Sequence, residues 1–269
     1  MNTCFVCKQP LYQLGIFKGY RILKCKACGM GYTVQGRAQS VSYHRDETYI
    51  EEEMLFKNIF EKRVNILSRL KKKGNVLEVG SSTGLMLSLL QKKGWDVTGI
   101  EISRKSAEAA IKRGIKVIVV PFQKARLNEK YDLIIFNHTF EHLEEPDKVL
   151  AKAYILLKRD GLIYIDLPNF DGFSAKLLGT RWPLLLPDEH LWHFTEKSLT
   201  LLLKGAGFKE IYIEKSSGIW DYENPLVGII YSLLNFKKRF FIEFLTAFPS
   251  WIISKLQLGS DLLIVSKKL

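Results

Sequence analysis

The sequence predicts an α/β protein with a doubly wound, mostly parallel seven-stranded sheet. From residue 75 onward, short apolar segments alternate with segments of helical periodicity, which is the pattern of strands joined by crossover helices. The short segments are almost continuously apolar, as in Leu133–Phe136, and this is typical of strands that are buried on both faces of a sheet. With 269 residues, of which 47% are hydrophobic and 25% charged, the chain has the composition of a globular protein.

The order of the elements follows from these segments and from the turn residues between them. The seven predicted strands are Asn75–Val79, Asp96–Ile100, Val117–Val120, Tyr131–Phe136, Leu162–Leu167, Glu210–Glu214 and Asp261–Val265. The predicted helices between them are Leu85–Lys93, Ser103–Arg113, Pro146–Leu157 and Thr195–Ala206. An earlier helix begins at Glu51 and ends at three lysines and a glycine, Lys71–Gly74, which is a typical helix C-terminus.

The N-terminal segment contains all four cysteines of the chain, Cys4, Cys7, Cys25 and Cys28. They form two C-x2-C pairs separated by 17 residues, a spacing typical of a four-thiolate zinc site. Four thiolates fill the coordination sphere of a tetrahedral ion, so we expect the zinc to be structural and not catalytic. The predicted organisation is a zinc ribbon over residues 1–36, a connector with a helix over 37–73, and the α/β domain over 74–269.

An apolar, aromatic insertion at residues 220–258 precedes the last strand. Its apolar residues recur at helical spacing beside Lys237, Lys238 and Arg239. A lid, a homodimer face, an interfacial helix pair that contacts a membrane surface, and plain core all fit this pattern. Because the chain has no secretory N-terminus and no apolar run of the ~18 residues that a membrane span needs, we expect a cytoplasmic protein, peripheral at the membrane if the insertion contacts lipid.

The net charge of +12 is concentrated in the N-terminal third of the chain. Residues 1–73 contain 14 basic and 6 acidic side chains. Such a surplus can face the phosphates of a nucleic acid or of lipid headgroups, and it can equally be a solvated surface. Charge by itself does not decide between these partners.

The turn after the first strand of the sheet is the predicted ligand site, since open α/β sheets bind ligands at the carboxyl ends of their strands. Residues Gly80–Gly84 form this turn, and Glu78 precedes it. A carboxylate there would repel a phosphate and favours a cationic ligand such as S-adenosylmethionine. Glu101, at the end of the second strand, is placed to accept hydrogen bonds from ribose hydroxyls; its alternative role is to cap the helix that starts near Ser103.

These motifs resemble those of the class I S-adenosylmethionine-dependent methyltransferases, a Rossmann-like family. The resemblance rests on four motifs in order, Glu78–Gly84, Gly99–Glu101, Tyr131–His138 and Leu157–Ile165, and it covers residues 75 to about 215. Ser82 is a departure, because the family usually has a glycine at this position. The resemblance implies that S-adenosylmethionine is bound by Glu78, Gly80, Ser81, Ser82, Gly84, Glu101, Ile102, Phe122, Asn137, His138 and Tyr49. For Phe122 a core position is the alternative, and for Tyr49 and the nearby Tyr43 simple packing.

Two further segments resemble a narrower group of these enzymes. Residues Asn137–Pro146 are similar to the E-H-x-x-x-P segment of a subgroup that includes quinone O-methyltransferases and sugar-modifying enzymes. Residues Asp188–Phe194 resemble relatives that have an N-terminal zinc ribbon, many of which are linked with cell-surface polysaccharide or nucleotide-sugar modification. The resemblance of the first segment implies that the residues after the fourth strand line the cofactor and the acceptor.

Methyl transfer to a hydroxyl, an ammonium or an acidic carbon requires a group that removes a proton from the acceptor. The candidates form two clusters, one with His138, Glu141 and His142 and the other with His190 and His193. Glu141 has the alternative role of capping the next helix. The second cluster has the alternative role of packing, since Trp192 and Phe194 flank His193 and suggest a buried hairpin.

The predicted activity is S-adenosylmethionine-dependent O-, N- or C-methylation of a small or carrier-linked acceptor, in first place a sugar or polysaccharide precursor. One alternative is an RNA methyltransferase that uses the basic ribbon. Beyond Phe5, Phe17, Tyr20 and Tyr32, however, the ribbon offers no aromatic surface for base stacking, so nucleic acid is the less favoured partner. The other alternative is a catalytically silent adaptor that binds the cofactor and docks a partner through the ribbon.

Overall fold

The structure is a computed structural model that describes residues 2–34, 53–217 and 245–269, together with Leu226, Ile230, Leu233 and Leu234. The chain forms two units. The ribbon unit consists of Met1–Ser42, Phe136–Lys215 and Leu258–Leu269. The glycine-turn unit consists of Tyr43–Ile135 and Ser216–Gln257.

The described part of the glycine-turn unit begins with helix α1, Glu53–Leu70, which ends directly before the predicted terminus Lys71–Gly74; the predicted first residue, Glu51, lies outside the described residues. The guanidinium of Arg113 donates two hydrogen bonds, of 3.0 and 2.7 Å, to the carboxylate of Glu53 in the first turn of α1. A bidentate pair of this kind is stronger than a single surface contact, and it attaches the start of α1 to the end of a later helix in the same unit.

Three parallel strands with two helices follow α1. The strands are β4, Asn75–Val79, β5, Asp96–Ile100, and β6, Lys116–Ile118, and the helices are α2, Leu85–Lys92, and α3, Arg104–Lys112. In register, Val79 lies beside Ile100, and Ile100 lies beside Ile118. Strand β6 ends two residues before the predicted Val120, because the Val120 amide donates to the Ile118 carbonyl at 3.1 Å and turns the chain.

Four further strands join these three: β7 (Tyr131–Asn137), β8 (Leu157–Pro168), β10 (Phe208–Ser216) and β11 (Asp261–Lys268). The main sheet of seven strands has the order β10-β11-β8-β7-β4-β5-β6 and is mostly parallel, which confirms the predicted α/β class. Strand β11 pairs antiparallel with β8, from Asp261 beside Pro168 to Lys267 beside Leu162.

The ribbon unit contributes the remaining elements of the α/β architecture. They are α4, Pro146–Leu156, β8, Leu157–Pro168, α5, Phe173–Leu178, α6, Glu196–Gly205, and β10, Phe208–Ser216. Strand β8 starts five residues before the predicted Leu162, because the backbone turns extended at Leu157, with φ −75° and ψ 140°, immediately after α4 ends. Helix α6 begins at a capping box in which Thr195 and Ser198 exchange side-chain and backbone hydrogen bonds.

The N-terminal segment folds into a small antiparallel sheet that incorporates a distant piece of the chain. Its strands are β1, Leu11–Phe17, β2, Tyr20–Cys25, β3, Gly31–Val34, and β9, Trp192–His193, in the order β1-β2-β3-β9. Gly31 lies beside His193, where an added Cβ would come within 2.6 Å of the Phe170 ring. Strand β9 was not among the predicted strands, since two residues carry too short a pattern to predict a strand.

The insertion at 220–258 falls largely outside the described residues, as do the connector residues 35–52. Its described part contains α7, Ala247–Lys255, on which Phe248 and Trp251 are exposed. Within the part of the chain that the structure describes, no helix combines the length and apolar character needed to cross a membrane.

Gly84 at the start of α2 is a position where the backbone requires glycine. Its φ is +73°, and an added Cβ would lie 2.8 Å from the Cβ and 3.2 Å from the Cα of Ala110 in α3. Both the left-handed backbone and this close approach of two helices exclude a side chain.

We expect Gly84→Ala to lower the free energy of unfolding by about 2–4 kcal/mol, the sum of left-handed strain and overpacking. Urea denaturation measures the loss. Gly114→Ala is the matched control, because Gly114 has φ +80° but no atom within 4 Å of an added Cβ, so that only the strain remains. Equal losses in the two variants would show that the approach to Ala110 has no energetic effect.

Candidate functional site

The turn between β4 and α2 is fixed to the neighbouring strand by its own backbone. The amides of Gly80 and Ser81 both donate to the carbonyl of Ile100, at 2.8 and 3.0 Å. The Gly84 amide donates to the carbonyl of Ser81 at 2.8 Å, which closes the turn before the helix begins. An added Cβ on Gly99 would lie 2.4 Å from Ser81 Oγ, so Gly99 makes room for this turn.

Ser82 lies in the left-handed region with φ +46°. This conformation explains why the resembling family usually has glycine at this position, since a Cβ adds strain there. The Ser82 amide donates to Glu101 Oε2 at 2.8 Å, a charge-assisted hydrogen bond that offsets part of the strain.

Glu101 is the carboxylate that the turn and the start of α3 share. Its Oε1 accepts hydrogen bonds from the amides of Ile102, at 2.7 Å, and Ser103, at 2.9 Å, in addition to the bond from Ser82 to Oε2. The side chain is buried. Both roles considered from the sequence are compatible, because Oε1 accepts the two amides at the start of α3, whereas Oε2 accepts only the Ser82 amide and keeps acceptor capacity for a hydroxyl.

Glu78 is a buried carboxyl group in β4, with 3% of its surface exposed. Its Oε2 has no hydrogen-bond partner among the described residues. Burial raises the pKa of Glu78 well above its usual value, and the negative charge of Glu101 raises it further. The carboxyl therefore favours its neutral form until a cation comes close to it.

The other predicted cofactor residues occupy different environments. Ile102 is 39% exposed, whereas Phe122 is buried in a short 3-10 turn, a position consistent with its alternative role in the core. Asn137 ends strand β7 and is buried in the ribbon unit. Tyr49, like Tyr43, lies outside the described residues.

The ribbon unit gathers three of the predicted histidines around Glu141. Glu141 Oε1 lies 3.7 Å from His138 Nδ1, 4.0 Å from His142 Nε2 and 3.9 Å from His190 Nε2. Glu141 is 1% exposed, and neither of its carboxylate oxygens has a hydrogen-bond partner among the described residues. The two clusters predicted from the sequence are therefore joined through this one carboxylate.

The imidazole rings of His142 and His190 are each oriented by a backbone carbonyl. His142 Nδ1 lies 2.9 Å from the Glu189 carbonyl oxygen, and His190 Nδ1 lies 3.1 Å from that of Leu184. A carbonyl only accepts, so in both rings Nδ1 is the protonated nitrogen and Nε2 faces Glu141.

His138 lies between carboxylates and has a strained backbone. Its φ is +46°, and its amide donates to the Asp166 carbonyl at 2.8 Å. Its Nε2 lies 3.7 Å from Asp261 Oδ1. Burial lowers the pKa of His138, but Glu141, Asp261 and Asp166 outweigh burial and raise the pKa to about 9.

The pKa of Glu141 shifts in the opposite direction. Burial alone would raise it, but His138, His142 and His190 lower it to about 2. Glu141 therefore carries a negative charge in the interior, and the imidazoles around it stabilise that charge.

His193 is separate from the carboxylate. Its Nε2 lies 2.8 Å from Thr33 Oγ1 of β3, and burial lowers its pKa to about 3, an effect to which the neighbouring His190 adds. A neutral, buried histidine that joins two strands matches the packing role considered as its alternative.

The four cysteine sulfurs converge at one point, all within 4.8 Å of one another. The Sγ atoms of Cys4 and Cys28 are 3.6 Å apart, and those of Cys7 and Cys25 are 3.4 Å apart. These distances are too long for disulfides, which measure about 2.05 Å. They approach the ~3.8 Å that separates sulfurs of a tetrahedron with zinc–sulfur bonds of 2.3 Å, so the four thiolates fit a zinc ion.

The two C-x2-C loops have the same backbone geometry. The residue after each pair, Lys8 or Gly29, has a positive φ, of 61° and 76°. The amides of Lys8 and Gly29 donate to the carbonyls of Cys4 and Cys25, at 2.9 and 3.0 Å. The backbone of each loop therefore turns in the same way and places its two sulfurs on one side.

Sequence reasoning missed two carboxylates beside His138. Asp166 lies in the buried strand β8 and accepts a hydrogen bond of 2.9 Å from the Tyr164 hydroxyl. Asp261 begins β11. Asp166 could have been found from the sequence, because it is an acid inside the apolar stretch Leu162–Leu167. Asp261 gave no such signal, since only the antiparallel pairing of β11 with β8 brings it close to His138.

Sequence comparison finds related proteins that match more than half of this chain. An uncharacterised protein of Methanocaldococcus jannaschii is 30% identical over 171 residues, which cover 62% of this chain and 78% of that protein. A ubiquinone biosynthesis O-methyltransferase of Bordetella avium is 28% identical over 172 residues, which cover 59% of this chain and 69% of that enzyme.

Among solved structures, the chain resembles the 1,6-didemethyltoxoflavin-N1-methyltransferase of Burkholderia thailandensis with bound 1,6-didemethyltoxoflavin and S-adenosylhomocysteine. The TM-score is 0.55 at 15% identity, with 91% of this chain and 96% of that chain covered, and at this identity the likeness concerns the fold. A family model described as a methyltransferase domain matches residues 51–213. Because that match spans more than half of the chain, the chain belongs to the methyltransferase-domain family and is an S-adenosylmethionine-dependent methyltransferase.

Proposed function

We propose that the chain methylates a small or carrier-linked acceptor, and that this acceptor is a sugar or polysaccharide precursor. The observation that carries the methyl-transfer part of this proposal is the carboxylate of Glu101, because three backbone amides fix its orientation beside the glycine turn. The likeness to an enzyme named as a quinone O-methyltransferase supports a small acceptor. The sugar class rests on the resemblance of Asp188–Phe194 to relatives with a zinc ribbon.

The cofactor supplies a methyl group that its sulfonium has already activated. Glu101 suits the ribose hydroxyls, because its orientation is fixed and its Oε2, which accepts only the Ser82 amide, can accept a further hydrogen bond. Glu78 suits a cationic group of the cofactor, since a nearby positive charge stabilises the ionised form of a buried carboxyl. Ile102, 39% exposed and next to Glu101, offers apolar surface to an adenine ring. The remaining proposed cofactor residues are Gly80, Ser81, Ser82, Gly84, Phe122, Asn137, His138 and Tyr49.

For the acceptor we propose the residues around Glu141. A carboxylate and imidazoles are the groups that hold an acceptor and take its proton. His138, Glu141, His142 and His190 form one connected group, and His193 supports its position from β9. His138 and Glu141 also follow the carboxyl end of β7, the side on which open α/β sheets bind ligands.

We propose a structural zinc ion bound by Cys4, Cys7, Cys25 and Cys28. The ribbon directly contacts the histidine segment, Asp188–Lys197, which contains His190 and His193. Thr195 Oγ1 donates to the Cys28 carbonyl at 2.7 Å, and Lys197 Nζ donates to the Ala27 carbonyl at 2.6 Å. These contacts support a role of the ribbon in positioning β9 and His190, and they give no support to RNA binding.

The remaining partner proposals concern the insertion at 220–258. Of its described residues, Leu245, Phe248, Trp251 and Ile252 are exposed and apolar. The interpretations of this apolar segment are a lid, a homodimer face, a membrane surface and plain core, and the exposure of these four side chains favours the first three.

The acceptor is identified by incubating the chain and labelled S-adenosylmethionine with fractionated cell extract, followed by mass spectrometry of the labelled product. We expect a labelled sugar-containing product. Label in RNA would favour the alternative activity, and cofactor binding without any labelled product would favour the silent adaptor.

We expect Glu101→Ala to weaken S-adenosylmethionine binding about 10-fold, or about 1.4 kcal/mol, because charge-assisted hydrogen bonds to the ribose are lost. Titration calorimetry measures the affinity. Glu108→Ala removes an exposed carboxylate from α3, the helix that follows Glu101, and is the matched control. An unchanged affinity in Glu101→Ala would rule out the ribose role.

We expect S-adenosylmethionine binding to release protons and to strengthen as the pH rises. In the free protein burial keeps the pKa of Glu78 high, and a bound cation lowers it, so the complex holds fewer protons than the free protein. Calorimetry in buffers of different ionisation enthalpy measures the release. It should vanish in Glu78→Gln and persist in Glu129→Gln, which changes an exposed carboxylate; release that persists in Glu78→Gln would have another source.

We expect Cys25→Ser to reduce the zinc content by one ion per chain and to lower the melting temperature, because the ligands fold together with their ion. Metal analysis by mass spectrometry and calorimetric melting give the two values. Ala27→Ser, an exposed change between two of the cysteines, should preserve both. A folded wild-type chain whose thiolates contain no zinc contradicts the ribbon.

A further inference from the structure

We propose that Glu141, His142 and His190 bind a second metal ion, a divalent transition-metal cation distinct from the ion of the four cysteines. The donor atoms of the three residues all lie within 4.8 Å of one another. Two imidazoles and one carboxylate are a ligand set that zinc and its neighbours in the first transition row accept.

The carboxylate of Glu141 is the first observation that indicates a missing ligand. It is buried, and neither oxygen has a hydrogen-bond partner among the described residues. Buried carboxylates without hydrogen-bond partners are costly. The imidazoles compensate the charge of Glu141 only from 3.7–4.0 Å away, so a cation bound to its oxygens would compensate that charge more fully.

The spacing around Glu141 is the second observation. The Nε2 atoms of His142 and His190 lie 4.0 and 3.9 Å from Oε1, which is longer than a hydrogen bond of about 2.7–3.2 Å. Ligands at 2.0–2.2 Å from a tetrahedral cation are about 3.3–3.6 Å apart, so each contact needs to shorten by roughly half an ångström. The present spacing therefore suits a cation between the three groups better than direct hydrogen bonds.

The orientation of the two imidazoles is a third observation, separate from the spacing. In metal sites, a histidine ligand usually donates its second ring N–H to a carbonyl or a carboxylate, which fixes the tautomer and aims the other nitrogen at the metal. His142 and His190 do this through Nδ1, with the carbonyls of Glu189 and Leu184 as acceptors. Their ring centroids are 4.8 Å apart at an interplanar angle of 70°, so the two rings flank one position.

His138 is not assigned as a ligand. Its Nδ1 faces Glu141 and its Nε2 faces Asp261, each at 3.7 Å, so that both ring nitrogens are directed at carboxylates. Three protein ligands leave a coordination position open, as in catalytic and not structural zinc sites.

The open position gives the metal a role in the proposed reaction, and this role rests on the proposed function. A hydroxyl oxygen of the acceptor bound there would lose its proton to solvent more readily, because the cation would stabilise the resulting negative charge. The oxygen would then bond to the methyl carbon while the carbon–sulfur bond of S-adenosylmethionine breaks and S-adenosylhomocysteine leaves. The substrate class is accordingly an alcohol or phenol that is methylated on oxygen.

The test compares metal binding by the full chain and by two matched variants, Glu141→Gln and Glu144→Gln. Glu144 is an exposed carboxylate three residues further along the chain. Each protein is saturated with Co²⁺ and gel-filtered, and its total metal content is measured. A mercurial reagent then reacts with the thiolates, and the metal that it releases is measured as the fraction bound by the cysteines.

We expect wild type and Glu144→Gln to contain one metal ion per chain beyond the mercurial-released fraction, and Glu141→Gln to contain none. A wild-type chain without metal beyond that fraction overturns the proposal, as does a Glu141→Gln variant that keeps it. If Glu141→Gln does not fold, His142→Gln, at a partly exposed ligand, replaces it with the same expectation.

Calorimetry with S-adenosylmethionine on the same samples separates this inference from the proposed function. We expect equal cofactor affinity in all variants, since the proposed cofactor carboxylates are Glu78 and Glu101. Metal binding without cofactor binding would contradict the proposed function alone, and cofactor binding without the second metal would contradict this inference alone.

Discussion

A buried carboxylate has to be compensated, and this constraint acts both at the glycine turn and, separately, at the cluster around Glu141. Glu101 is compensated by the amides of Ser82, Ile102 and Ser103, and the bond from Ser82 also ties the glycine turn to Glu101. Glu141 is compensated by surrounding imidazoles that lie too far away for hydrogen bonds. Glu78 has only burial and a like charge near it, and it responds with a raised pKa. The carboxylate of Glu101 is thus hydrogen-bonded within the chain, and that of Glu141 is compensated only from a longer distance. The ionised form of Glu78 depends on a cation that the chain does not supply.

The ribbon is joined to the histidine segment by main-chain pairing and not by a flexible connection. Strand β3 pairs with β9 through Gly31 and Tyr32, and the Thr33 amide donates to the Leu191 carbonyl at 3.0 Å. The Leu191 amide in turn donates to the Glu141 carbonyl at 3.1 Å. A continuous series of backbone contacts therefore runs from the cysteine loops to the buried carboxylate, and in this chain the ribbon contributes to the geometry of the histidines.

The elements that the sequence predicted well are short segments of the alternating strand–helix pattern that turn residues delimit. Strands β4 and β5 have the predicted bounds, because each follows a glycine-containing turn and ends directly before the loop that leads into the next helix. Strand β9 and the start of β8 were not predicted, since their extended conformation depends on partners far away in sequence. Ser82 shows an intermediate case: the departure from glycine was visible in the sequence, but its positive φ and its bond to Glu101 were not.

The sequence by itself determined the α/β class, the grouping of the four cysteines, and Glu78 and Glu101 as the acids of the glycine turn. Each of these depends on spacing within one or two neighbouring elements, where the covalent chain limits the geometry. Only the tertiary structure decided that Glu141 is the common neighbour of His138, His142 and His190, that His193 bonds Thr33 instead, and that Asp166 and Asp261 lie beside His138. These contacts join residues up to 160 positions apart, and long-range packing, which leaves no periodic signature in the sequence, brings them together.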